Sequence, residues 1–332
     1  MLIEVRDLVK EFRVADRREG IGGAIVDLFA ARKRTVRAVD GVSFGVERGE
    51  MLGYIGPNGA GKSTTVKILT GILVPTAGEV RVAGLVPHAD RKRHVRRIGV
   101  VFGQRTQLWW DIAVIESFRL LRRIYGVGEK DFRERLDELS RILDLEGLLH
   151  TPVRKLSLGQ RMRCDIAASL IHRPDILFLD EPTIGLDIVA KDSIRTFLKD
   201  VNARLGTTIL LTTHDLRDIE ELCRRILIID RGRIIYDGGL AEVKSRHASE
   251  TAVEFDFARG PEPDELEALV RGNGVRWERL APLRFRAVFD RRVVPVAEII
   301  RRTVPAIPVS DLTIVEPDIE TVVKKIYRQG GA

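Results

Sequence analysis

Gly56-Pro-Asn-Gly-Ala-Gly-Lys-Ser-Thr64 follows the apolar run Met51–Ile55 and opens the helical pattern Lys62–Leu69. It satisfies G-x-x-x-x-G-K-[ST] in the strand–loop–helix context that gives this motif its meaning. Gly56, Gly59 and Gly61 carry no Cβ, so the backbone N–H groups of the loop can turn inward and form a nest for an anion. The helix N-terminus adds a favourable dipole. Lys62 has the reach to meet β- and γ-phosphates, and the Ser63 hydroxyl is a hard oxygen suited to Mg²⁺. Pro57, Asn58, Ala60 and Thr64 complete the phosphate cradle. The expected ligand is ATP with Mg²⁺.

Working outward, short apolar runs alternate with amphipathic stretches. Ile98–Phe102, Ile176–Asp180, Thr208–Thr212 and Ile226–Asp230 read as buried strands beside Met51–Ile55. Val114–Tyr125 and Asp131–Leu143 read as helices. This order predicts an α/β fold around a largely parallel sheet. Residues 105–173 hold no convincing strand and read as an inserted helical subdomain.

Several strand ends carry polar residues at the carboxyl edge of the sheet, where ligands of α/β folds sit. Ile176–Glu181 ends in two acids. Asp180 is suited to hold Mg²⁺, and Glu181 to act as the general base toward water. His214 ends the run Thr208–Thr213; taken alone, it fits a helix cap as well as a γ-phosphate contact. Gln104 follows Ile98–Phe102 and by itself decides nothing. In Leu156-Ser-Leu-Gly-Gln160, Ser157 reads as the N-cap of a helical run, Arg161–Ile171, and Gly159 permits close backbone approach.

Together these motifs resemble the nucleotide-binding subunit of ABC transporters over residues 1–240. The order is P-loop Gly56–Thr64, Q-loop Gln104, signature Leu156–Gln160, Walker B Ile176–Glu181, D-loop Gly185-Leu-Asp187 and switch His214. The resemblance implies a head-to-tail dimer, formed with itself or with a similar ATPase. Each ATP is then enclosed between one P-loop and the partner's signature. It implies catalytic roles for Glu181, His214 and Gln104, and Mg²⁺ contacts from Ser63, Gln104 and Asp180. It also implies contacts in trans from Ser157, Gly159, Gln160 and Asp187. Two departures stand out. Leu158 replaces the first glycine of the usual LSGGQ. Phe12, which the resemblance offers as the aromatic that stacks on adenine, lies far ahead of the P-loop. The segment Gly20–Arg34 accounts for that excess as an insertion. It reads as a short basic amphipathic helix, packed on its own domain in preference to a membrane surface.

From Thr251 a second pattern begins: strand Thr251–Phe257, helix Pro263–Val270, hairpin Val275–Arg279 and Leu283–Phe289, helix Val294–Arg302 and strand Leu312–Val315. This βαββαβ order predicts a small α+β, ferredoxin-like domain over 241–332, followed by a helix, Ile319–Tyr327. With Glu316-Pro-Asp-Ile-Glu-Thr-Val-Val, the segment looks like the tail domain of bacterial drug-export ATPases that pair with ABC-2-type permeases. Export of a drug, lipid or polysaccharide is therefore expected, through a separate integral-membrane permease. Trp109 and Trp110 are candidate anchors for that partner.

The 332 residues are 44% apolar and 31% charged, with 55 Lys and Arg against 48 Asp and Glu. That composition suits about two globular domains and an acidic ligand. No apolar run approaches the ~20 residues of a spanning helix, and no leader pattern is present. The expected location is cytoplasmic, peripheral on the inner face of the membrane. Cys164 and Cys223 lack any metal-binding context and read as buried or semi-buried free thiols in a reducing cytosol. The alternative is a soluble ABC ATPase acting on nucleic acid or the ribosome, with Arg91–Arg97 as the basic patch. That patch lacks interleaved aromatics, so no nucleic-acid partner is expected.

Overall fold

The computed structural model describes residues 1–15, 33–103, 105–247, 250–270, 274–315 and 319–330. The chain divides into two compact units, Met1–Asp237 and Gly238–Ala332.

In the first unit the apolar runs assemble into a six-stranded sheet. Its order is β5 (Ile98–Phe102), β6 (Ile176–Asp180), β7 (Thr208–Thr212), β3 (Met51–Ile55), β8 (Arg225–Asp230) and β9 (Arg233–Gly239). The pairs from β5 through β8 are parallel. Leu177, Phe178, Ile209, Ile226 and Leu227 are fully buried, as strands covered on both faces require. A second, antiparallel sheet places β1 (Ile3–Ala15) between β2 (Lys33–Val46) and β4 (Ala77–Val82). Most of the amphipathic segment Gly20–Arg34 lies outside the described residues. Its last two residues, Lys33 and Arg34, pair with Ala15 and Val14 as the start of β2, so they do not end a helix.

Among the described residues, the helices of this unit are α1 (Lys62–Leu69), α2 (Arg91–His94), α3 (Val114–Tyr125), α4 (Glu129–Leu143), α5 (Leu158–Leu170), α6 (Ile188–Leu205) and α7 (Leu216–Leu222). Between residues 105 and 173 the described residues carry α3, α4 and α5, with no strand beyond isolated bridges. Of the basic run Arg91–Arg97, His94 is buried and Arg97 is paired with Asp175 at 2.6 Å.

The second unit comprises α8 (Leu240–His247), β10 (Glu250–Phe257), α9 (Pro263–Val270), β11 (Arg276–Arg279), β12 (Arg284–Asp290), α10 (Val296–Ala306), β13 (Val309–Val315) and α11 (Ile319–Gly330). Its antiparallel sheet has the order β11-β12-β10-β13. Val253, Phe255 and Phe257 alternate into its core with Phe285, Ala287 and Phe289. The period of two in the sequence is thus the period of the buried face.

Candidate functional site

β3 delivers the chain into the loop at Gly56, and α1 leaves from Gly61. A Cβ on Gly56 would lie 2.4 Å from the carbonyl oxygen of Ile229, and one on Gly61 2.4 Å from that of Ala38. Gly61 also has φ +108°, a conformation other residues rarely adopt. As N-cap of α1 it offers no side chain, so the first N–H groups of the helix stay free to meet an anion. The Lys62 ammonium donates to the carbonyls of Gly56 at 2.6 Å and Pro57 at 3.2 Å. It therefore lies across the mouth of the nest. Burial pushes its pKa down, against the pull of the Glu181 and Asp180 carboxylates.

Asp180 closes β6 directly beside α1. Its Oδ1 accepts from Thr212 Oγ1 at 2.5 Å and from Ser63 Oγ at 3.4 Å. A serine hydroxyl and a carboxylate side by side form the hard oxygen set that Mg²⁺ takes, with its remaining positions left to water and phosphate. The residues present therefore fit that ion.

At Glu181 the backbone turns to φ +57°, an unusual value for a side chain with a Cβ. The turn ends the strand and separates the two adjacent acids. Asp180 faces Ser63, while Glu181 faces His214. Glu181 Oε2 lies 2.5 Å from His214 Nδ1 and accepts from the His214 backbone N–H at 3.3 Å. The glutamate is 21% exposed and the imidazole 61%, so water can reach both. A carboxylate held by an accessible imidazole and its backbone N–H, beside a phosphate nest, can orient and deprotonate a water molecule.

The signature residues form a separate surface. Ser157 N-caps α5 in a full capping box: its hydroxyl accepts from Gln160 N, and Gln160 Oε1 accepts from Ser157 N. Asp187 likewise caps α6 through Ala190 N at 2.8 Å. Between the two helix starts runs a groove of about 570 Å³, lined by Ser157, Gly159, Gln160, Gly185 and Asp187 among others. A Cβ on Gly159 would meet that of Ala190 at 2.9 Å, so glycine is what lets α5 approach α6. Leu158, the departure from LSGGQ, turns its side chain toward Gly185, where an added Cβ would lie 3.2 Å from its Cδ2.

The remaining sites divide. Gln104 lies outside the described residues. Phe12 sits half-buried in β1 opposite Val36, with the Lys10 ammonium 5.2 Å from its ring centre. Trp109 and Trp110 are 42% and 49% exposed. The Arg161 guanidinium of α5 stacks 5.4 Å from the Trp110 ring.

Sequence reasoning missed Asp165. It is buried on α5 and accepts from Thr106 Oγ1 at 2.8 Å and Gln107 N at 3.0 Å. Burial pushes its pKa up to about 6 against those hydrogen bonds. The available signal was an acid on the apolar face of a helical pattern.

The family model "ABC transporter" matches residues 39–184. Methionine import ATP-binding protein MetN of Halalkalibacterium halodurans is 36% identical over 263 residues, which cover 78% of this chain and 77% of that protein. The chain belongs to the ABC transporter family. Nod factor export ATP-binding protein I of Ralstonia nicotianae is 42% identical over 224 residues, 66% of this chain and 68% of that one. Among solved structures, cbiO1 from Clostridium perfringens, part of the ABC transporter complex cbiONQ, has a TM-score of 0.60 at 28% identity. It covers 74% of this chain and 90% of its own. The dimeric post-hydrolysis cassette MJ0796, bound to ADP and Pi, has a TM-score of 0.59 at 25% identity, over 72% of this chain and 98% of its own. This ABC chain is an ATP-binding subunit whose ATP hydrolysis is coupled to transport. No helix among its described residues is long and apolar enough to cross a membrane.

Proposed function

We propose that this chain powers export through a separate membrane permease, working on the cytoplasmic face as one of a pair of cassettes. The 2.5 Å contact between Glu181 and His214, beside Lys62 and Ser63, is the observation that carries the catalytic assignment. Gly56–Thr64 cradles the phosphates, and Lys62 leaves the Gly56 and Pro57 carbonyls for phosphate oxygens. Glu181 takes the proton of the attacking water, and His214 holds that carboxylate in place and faces the γ-phosphate. Ser63 and Asp180, with Gln104, hold Mg²⁺, which when bound offsets the charge on the β- and γ-phosphates. Phe12 stacks on adenine.

Ser157, Gly159, Gln160 and Asp187 act on the ATP of the partner cassette. The groove they line opens to solvent beside Ile188 and Val189, which are 76% and 79% exposed. Two apolar side chains that far from cover suit burial in an isologous interface. Exposed Trp109 and Trp110 receive the permease, as aromatic anchors do. Residues 1–240 form the ATPase domain, and residues 241–332 an accessory, regulatory one.

Export is supported by the 42% identity to the Nod factor export protein. Import is the second reading, and one observation favours it. The match to the methionine import protein spans 78% of the chain, more than the first unit, Met1–Asp237, can supply alone. It therefore reaches into the second unit.

Glu181→Gln is the test of the catalytic assignment. ATP binding should persist, turnover should fall at least a hundredfold, and ATP should trap a dimer on size exclusion. Wild-type turnover by this variant refutes the general-base role. Direction is decided in inside-out vesicles holding the permease that co-purifies with the chain. Cargo accumulating inside on addition of external ATP supports export, and cargo leaving supports import.

A further inference from the structure

Asp218 has no role in the motifs above, yet its side chain is fully buried in the third position of α7. A buried carboxylate is costly unless charge and hydrogen bonds compensate it. Here the compensation is complete and comes from three directions. Oδ2 accepts from Thr183 Oγ1 at 2.5 Å and from Thr213 Oγ1 at 3.2 Å. Oδ1 accepts from Arg195 Nε at 2.7 Å.

The origin of each donor matters. Thr183 stands two residues after Glu181, and Thr213 immediately before His214. The two loops that carry the catalytic pair are therefore hydrogen-bonded to one and the same oxygen atom. Arg195 comes from α6, the helix capped by Asp187, and also pairs with Asp192, Asp215 and Glu221. Thr213 Oγ1 accepts in turn from the Asp215 N–H at 3.0 Å, which fixes its hydroxyl to donate toward Asp218.

We infer that Asp218 is a positioning residue for ATP hydrolysis: from behind the site it sets the spacing of the Glu181 and His214 loops and ties that spacing to α6. Its side chain is fully buried and so has no surface to offer nucleotide or attacking water directly. Its effect passes through Thr183 and Thr213, so it governs the rate of the chemical step and not the affinity of the P-loop. The inference rests on the Glu181–His214 assignment proposed above.

The test uses Asp218→Asn, Thr183→Val and Thr213→Val in the full chain. Steady-state ATPase kinetics are read alongside binding of a fluorescent ATP analogue. Asparagine and valine keep the volume of the side chains they replace but not the shared acceptor geometry. Asp218→Asn should lower kcat at least tenfold, with KM and nucleotide Kd within twofold of wild type. Each threonine variant should lower kcat severalfold. Adding both to Asp218→Asn should cause no further loss, because all three act through one oxygen. If Asp218→Asn does not fold, the two threonine variants decide alone. Wild-type kcat in the folded variants overturns the inference, and so does a loss of nucleotide affinity in step with kcat. Glu181→Gln run in parallel separates the two failures. If it keeps turnover, the catalytic pair was misassigned. If it loses turnover while the Asp218 set does not, only the positioning role is wrong.

Discussion

Gly103 is the position where one added methyl group should stop turnover while leaving nucleotide binding in place. A Cβ there would lie 1.9 Å from the carbonyl oxygen of Glu181 and 2.8 Å from its carbonyl carbon. Both neighbours are backbone, so no side-chain rotation relieves the contact. Restoring a separation of about 3 Å needs a displacement of roughly 1 Å or more. The two segments cannot simply part, because the Gly103 N–H donates to the Asp180 carbonyl at 2.8 Å. The displacement falls instead on the turn at Glu181, whose φ of +57° is already strained by about 1–3 kcal/mol. Misplacing a reacting group by ~1 Å costs about a hundredfold in rate, or ~2.7 kcal/mol of barrier. Overpacking removes a further ~1–3 kcal/mol of stability. Gly103→Ala should therefore show kcat reduced about a hundredfold in a phosphate-release assay. Affinity for a fluorescent nucleotide should stay within a few fold of wild type, since Lys62 and the P-loop ride on β3 and α1. A folded Gly103→Ala protein with wild-type kcat refutes this account of how Glu181 is held.

Two further outcomes are expected. Lys62→Ala should abolish detectable nucleotide binding in calorimetry, and mixing it with Ser157→Arg chains should restore some ATPase activity, because one composite site in each mixed pair stays intact; the absence of any rescue would count against action in trans. Asp165 gives a pH dependence with a definite sign. Its folded pKa, near 6, lies above the ordinary value of 3.8, so the folded state binds the extra proton and stability is lost as pH rises through 6. Between pH 7 and pH 4 the wild type should gain about 2 kcal/mol over Asp165→Asn in urea unfolding, and equal slopes for the two proteins would refute the shift.

Much of the candidate site was legible in the sequence, for an identifiable reason. Strands buried on both faces must be continuously apolar, so Met51–Ile55, Ile98–Phe102 and Ile176–Asp180 announce their own limits. The helix Lys62–Leu69 and the cap at Ser157 are set by local chemistry, glycine in one case and a hydroxyl in the other. The long strands β1 and β2 were not legible. Lys10, Glu11, Arg13, Arg34 and Arg37 punctuate them with charge, because only one face of that sheet is covered. Asp165 and Asp218 escaped notice for a different reason. Asp165 shows in the sequence only as an acid on the apolar face of a helix, and Asp218 as an ordinary helix acid. The partners of Asp165 lie 58 and 59 residues away, and those of Asp218 lie 35 and 23 residues away, apart from Thr213 close by. Only tertiary structure makes them internal.

The capping box at Ser157 carries one more implication. A hydroxyl oxygen accepts and donates at once. At Ser157 the accepting side is spent on the Gln160 N–H, which leaves the hydrogen available. Under the proposed assembly, α5 can therefore offer that hydrogen to a phosphate on the facing chain without loosening its own first turn. The residue that begins the helix is also the one that reaches outward, and neither duty interrupts the other. An arriving nucleotide meets a hand that is already closed on its own wrist and still has a finger free.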